Sequence, residues 1–309
     1  MGIIPGTMSR ATRIVLGLSA LALYGCQAIG LGPAPTPAPP TVTPAPPTPT
    51  PEPAAATVGG KPILLVDYEA ELRRYEQAQS ELGTDLASDP EYRQRVLQAL
   101  IDRRLLDLGA TLSGLSVTPA EVEARLQGLA EDSGGQEALA AWLAANDYST
   151  DTFLATLREE MQAQRMVEQI AGSVPETVEQ VRARHILVGS RQEAEALLDQ
   201  LESGAEFGTL AATYSLDLST RPGGGDLGWF PSDYLATPEL EQAAFGLQPG
   251  EVSTEVIASD LGYHVLQVLD RGQHPLSPEA SRRLRLKAVQ DWLDLRRKDT
   301  EIIILVDTG

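Results

Sequence analysis

Three histidines are the side chains of this 309-residue chain best suited to chemistry near neutral pH. His185 lies in VRARHILV, which alternates as a strand does, with Ala183, His185 and Leu187 on one face and Arg182, Arg184, Ile186 and Val188 on the other. His264 lies in a second strand-like run, GYHVLQV, and His274 in RGQHPLSP, which reads as a loop. An imidazole can relay a proton, ligate a metal or serve as a hydrogen-bond partner. Among apolar neighbours on a strand face it also fits a residue that merely completes a core. Two of the three histidines in strands is therefore a clue and not yet a site. Cys26 is the only cysteine, so no intrachain disulfide is possible.

The elements that would position these residues follow from periodicity and punctuation. Helices are expected at VDYEAELRRYEQAQ, at DPEYRQRVLQALIDRRLLDLGA, from Pro119 behind the Thr118/Glu121 start signal, at GGQEALAAWLAAND, and at STDTFLATLREEMQAQRMVEQI. From Val181 the order becomes strand, two helices, strand, helix, strand, strand. Ser190 and Glu193 form a capping box there, Gly204 stops the helix that follows, and Thr237 with Pro238 starts another. The chain then returns to a helix, SPEASRRLRLKAVQDWLDLRRKD, and ends in the apolar run EIIILV. The basic residues of that helix, Arg282, Arg283, Arg285, Lys287, Arg296, Arg297 and Lys298, are read as a solvated face beside acidic N-terminal helices.

Residues 1–26 have the layout of an export signal: Arg10 and Arg13, then the apolar run IVLGLSALAL, then LYGC. The end resembles a lipobox, which implies acylation at Cys26 and attachment of the mature protein to a membrane. Half of the chain's 22 prolines follow between Pro33 and Pro53. Such a run favours extended polyproline II, and about 21 residues of it would span roughly 65 Å as a spacer. The formal charge of −19, from 43 acidic and 24 basic residues, argues against nucleic acid as a partner.

RARHIL, YSLD, GGGDLGWF, PELEQAAFGLQPGEVS and GYHVLQV, in this order, resemble the signature of the parvulin family of peptidyl-prolyl isomerases. The whole chain resembles exported foldases of the SurA and PrsA type. The resemblance implies an α+β chain. An all-helical chaperone module, built from the N-terminal helices and the C-terminal helix, would carry an inserted parvulin domain with a four-stranded antiparallel sheet and about four helices. The expected segments are the signal peptide 1–26, the linker 27–57, the chaperone domain 58–178, the parvulin domain 179–272, and a returning helix and strand 273–309.

The same resemblance implies roles for residues. His185 and His264 would sit side by side on neighbouring strands with Asp217 of YSLD facing the substrate, and Leu227, Phe230, Leu235, Leu240 and Phe245 would form a pocket for the proline ring. Leu240 stands where the family has an aromatic residue, and the basic cluster of phosphate-dependent members is missing, leaving only Arg191. No cofactor and no metal is expected, although two histidines and an aspartate are also a conceivable metal-ligand set. The implied function is isomerisation of X-Pro bonds in newly exported, unfolded proteins outside the cytoplasm, together with holding of such clients. In the alternative, the parvulin domain is an inactive platform and the helical module does the work.

Overall fold

The chain from 52 to 308 is described by a computed structural model; the export signal, Cys26 and the spacer up to Pro51 lie outside the described residues. It opens with a hairpin, β1 (Ala54–Val58) and β2 (Lys61–Leu64), turned by Gly59 and Gly60 at φ 57° and 75°. A two-residue turn with positive φ at both positions matches the twist of the paired strands, and glycine takes that conformation without penalty. Five helices follow: α1 (Leu65–Glu81), α2 (Tyr92–Leu112), α3 (Pro119–Asp132), α4 (Gln136–Ala145) and α5 (Thr150–Gly172). The expected capping box at Thr118 is formed, since Oγ1 accepts from the Glu121 amide at 3.3 Å and Glu121 Oε2 accepts from the Thr118 amide at 2.8 Å.

The α+β part that follows consists of β3 (Thr177–Val188), α6 (Arg191–Glu202), α7 (Phe207–Tyr214), a 3-10 turn at Arg221–Gly223, β4 (Asp226–Pro231), α8 (Pro238–Gly246), β5 (Ile257–Ser259) and β6 (Gly262–Pro275). Its four strands form an antiparallel sheet in the order β4-β3-β6-β5. Alternation places Ile186, Val188 and Val265 in one core with α6 and α7. Val181, Ala183, Leu266 and Val268 pack on the other side with Leu240 and Ala244 of α8. Arg271 of β6 ties α8 to the sheet by donating to the carbonyls of Phe245 at 2.7 Å and Leu247 at 2.8 Å. The last elements are α9 (Pro278–Asp299) and β7 (Ile302–Ile304).

The mixed α+β class and the returning helix agree with the reading of the sequence. Leu293 of α9 joins the core that Leu97, Ile101 and Leu105 of α2 form with Met166 and Ile170 of α5. Trp292 lies so close over Gly109 that an added Cβ would stand 2.5 Å from its ring.

Several expectations are corrected. The helical module is not all helical, because β7 pairs with β1 to make a three-stranded sheet in the order β2-β1-β7. Its alanine-rich strand β1 carries no alternation to mark it, and its partner is at the far end of the chain. His274 is in β6 and not in a loop, paired with Val178 and packed on Trp229 at 3.8 Å between ring centroids. Arg297 is not merely solvated, for its guanidinium holds Asp102 of α2 with bonds of 2.9 and 2.6 Å. Thr237 makes no side-chain cap on α8.

Candidate active site

His185 and His264 come together because of sheet register. His185 pairs with Leu266 and His264 with Leu187, so the two histidines are diagonal neighbours on one face of the central strands β3 and β6. Their Nδ1 atoms are 3.2 Å apart and the rings are within 17° of parallel. Both are buried, at 5% and 1% exposure.

Asp217 reaches His185 from the segment after α7. That segment is laid along β3 by the Leu216 amide, which donates to the Leu187 carbonyl at 2.7 Å, and by Ser215 Oγ, which accepts from the amides of Leu187 at 3.2 Å and Asp217 at 3.3 Å. The Asp217 carboxylate then accepts from His185 Nε2 at 2.8 Å, Thr220 Oγ1 at 2.6 Å, and the Ser219 hydroxyl and amide at 2.5 and 3.0 Å. At the opposite end of the row, Ser259 Oγ stands 2.7 Å from His264 Nε2. Burial alone would raise the Asp217 carboxyl, but the hydrogen bonds from Ser219, Thr220 and His185 outweigh it and hold the group well below the usual carboxylate range.

Proton positions follow from that one ionised group. A carboxylate only accepts, so His185 Nε2 carries a proton and donates to Asp217. With neutral imidazoles, His185 Nδ1 is then bare and accepts from His264 Nδ1, which leaves His264 Nε2 to accept from the Ser259 hydroxyl. The row thus runs in one direction from Ser259 to Asp217, and each nitrogen is engaged within the row instead of converging with others on a common point. Among the described residues no group of three or more His, Cys, Asp and Glu side chains is arranged to hold a metal ion.

His264 is the acid-sensitive member. Burial, and then the charge of His185, lower it from 6.5 to about 4. The unfolded chain therefore takes up a proton between those values that the folded chain refuses. The stability contributed by neutral His264 is complete above about pH 6.5 and is lost as pH falls toward 4, at most ~3 kcal/mol. Thermal melts should show a smaller fall in melting temperature over this window for His264→Gln than for the wild type. Equal falls would contradict this assignment.

Beside the row lies an open cleft of about 510 Å³, lined by His185, His264, Asp217, Ser219, Ala236, Thr237 and by Leu187, Leu216, Leu218, Leu227, Leu235, Leu240 and Leu261. Its character is apolar, and it carries no lysine or arginine. The structure thus brings Leu227, Leu235 and Leu240 to the cleft together with the row. Leu227 is the extra residue at an irregularity in register, where Ala183 pairs with Gly228 but Arg184 with Asp226. The structure corrects the reading of Phe230 and Phe245. Phe230 is fully buried in the same core as Leu240, Phe245 meets it edge to face at 6.2 Å, and neither lines the cleft. Ser215, Ser219, Thr220 and Ser259 were not singled out from the sequence. The hydroxyls two and three residues beyond Asp217 were the available signal for two of them, since such spacing favours a turn closed on an aspartate.

Residues 13–167 match the SurA-like N-terminal domain, and residues 164–272 match the PPIC-type PPIase domain. The foldase protein PrsA of Caldanaerobacter subterraneus subsp. tengcongensis is 32% identical over 178 residues, which cover 57% of this chain and 56% of that one. The chaperone SurA of Bordetella parapertussis is 38% identical over 148 residues, covering 41% and 28%. A solved peptidylprolyl isomerase (PrsA) from Bacillus cereus is 21% identical and superposes with a TM-score of 0.47, covering 77% of this chain and 85% of that one. The chain spans about half the length of the PrsA relative and less of SurA. With a SurA-like domain matched over half of its residues and a PPIC-type PPIase domain behind it, the chain belongs to the SurA and PrsA family of foldases.

Proposed function

We propose that the protein is a membrane-anchored foldase working outside the cytoplasm, which isomerises X-Pro peptide bonds in exported proteins and holds them while unfolded. The observation that carries this reading is the placement of the Asp217, His185, His264 row on the wall of a leucine-lined cleft. Rotation about an X-Pro amide is slow because of its partial double-bond character, and it needs no covalent help. What accelerates it is tighter binding of the twisted amide than of the planar one.

The planar ground state carries more negative charge on the carbonyl oxygen than the twisted state. Leucines around the proline ring withhold solvation from that charge, and the Asp217 carboxylate facing it disfavours it further. Both effects penalise the ground state more than the transition state. His185, itself held by His264, fixes the orientation of Asp217 by a hydrogen bond on its inner side. A phosphorylated residue before the proline would meet this carboxylate with no cation in the cleft, so unphosphorylated segments are the fitting substrates. The leader sequence and Cys26 support the anchoring part of the proposal; among the described residues, no helix is long and apolar enough to cross a membrane.

The test is refolding of a protein limited by a slow X-Pro step. Catalytic amounts of the full chain should shorten the slow phase, and excess should suppress aggregation. Suppression of aggregation with an unchanged slow phase would mean that the domain only holds its clients.

A further inference from the structure

We infer that Glu241 is a positioning residue that sets the affinity of the cleft for proline by holding its Leu235 wall, an inference that rests on the cleft being the substrate site. Glu241 sits in the first turn of α8, but its side chain turns back out of the helix. One oxygen accepts from the Asp233 amide at 2.6 Å, and the other accepts from the amides of Tyr234 at 2.9 Å and Leu235 at 2.8 Å. Three consecutive backbone donors thus converge on one carboxylate. Thr237, the residue placed to cap this helix, makes no such bond.

The geometry of the loop explains why it requires a strap. Asp233 has φ 64°, a left-handed conformation that aspartate tolerates better than most residues but that still carries a backbone cost. Ser232, Asp233 and Ala236 are exposed, so little packing fixes the loop from outside. Yet Leu235, Ala236 and Thr237 form part of the cleft wall, in a lining shared with His185 and Asp217. A carboxylate bonded to amides 233 to 235 sets the height of that wall above Leu240, which belongs to the same helix as Glu241. The outer side of the loop has weaker ties to α9: Arg283 lies 5.4 Å over the Tyr234 ring, and Lys287 is 3.6 Å from Asp233.

Glu241 touches no substrate in this arrangement, so its effect should be on binding and not on the chemical step. An Ala-Leu-Pro-Phe peptide labelled for NMR gives both quantities, the dissociation constant from titration and the exchange rate at saturation. Glu241→Ala should weaken binding about tenfold, the scale of losing one apolar wall, with the saturated rate within about twofold of wild type. Glu241→Gln, which keeps one acceptor oxygen, should recover part of the affinity. Leu235→Ala should weaken binding similarly, and the double variant should be no worse than either single one, because Glu241 acts through Leu235. Additive losses, or unchanged affinity in Glu241→Ala, would overturn the inference. Binding is read without turnover, so a wild-type chain that binds the peptide without isomerising it would refute the proposed activity while leaving the role of Glu241 decided by the same titration.

Discussion

Replacing Gly225 by alanine is expected to cost ~3 kcal/mol or more of stability and to abolish isomerase activity in whatever remains folded. Gly225 has φ 83°, so any side chain there is strained from the outset. The added Cβ would also stand 2.1 Å from the His185 carbonyl oxygen and 3.2 Å from the His185 nitrogen. Neither obstacle is the flexible end of a side chain; both are backbone of the central strand, and the Gly225 carbonyl itself accepts from the His185 amide at 3.0 Å. The strand must therefore shift at the residue that holds Asp217. Gly204 is a useful control, since it also has positive φ, 93°, but an added Cβ there meets nothing within 4 Å. Gly204→Ala should lose only the backbone preference, ~1 to 2 kcal/mol, and keep activity. A Gly225→Ala protein that melts like wild type and turns over normally would show that the loop does not constrain the histidine.

Asp217→Asn separates charge from scaffolding. The amide is nearly isosteric: its oxygen can keep the bonds from the Ser219 hydroxyl and amide, while its NH2, in the place of the other oxygen, can donate to the Thr220 hydroxyl and to His185 Nε2 once the imidazole tautomers reverse, so stability should fall by no more than ~1 kcal/mol. The charge that faces the amide oxygen and orders the protons of the row is gone, and the rate at saturating peptide should drop about a hundredfold, in line with loss of a preorganised electrostatic contact. Asp217→Ala is a different experiment. It leaves His185 Nε2, buried at 5% exposure, with only the Thr220 hydroxyl at 3.3 Å, and should cost ~1 to 3 kcal/mol as well as activity. Turnover retained in both variants would mean that the row is structural.

Local rules made much of this legible in advance. The Ser190 and Glu193 box, the Thr118 and Glu121 box and the stop at Gly204 are all short-range, and each is found in place. The face of β3 that carries His185 followed from its alternation with Ala183 and Leu187. The partners of His185 did not follow from any local rule, since Asp217 is 32 residues away and His264 79, and only the resemblance to parvulins joined them. What was hidden depends on register or on long-range pairing. The slip that brings Leu227 to the cleft shifts the alternation of β4, and Phe230 accordingly lies in the core. Gly272 and Pro275 gave His274 the appearance of a loop residue, and pairing with β3 overrode them. Glu241 looked like any acidic residue in a first helical turn. Its actual partners precede the helix and became visible only in three dimensions.

The most direct measurement of the central claim is the cis/trans exchange rate of an unphosphorylated Xaa-Pro peptide, followed by NMR exchange spectroscopy with catalytic amounts of the full chain at pH 7. The account predicts exchange accelerated from its uncatalysed scale of tens of seconds to a range that exchange spectroscopy resolves, with the acceleration largely removed by Asp217→Asn and no gain from phosphorylating the residue before proline. Exchange at the uncatalysed rate with peptide demonstrably bound in the cleft would contradict it.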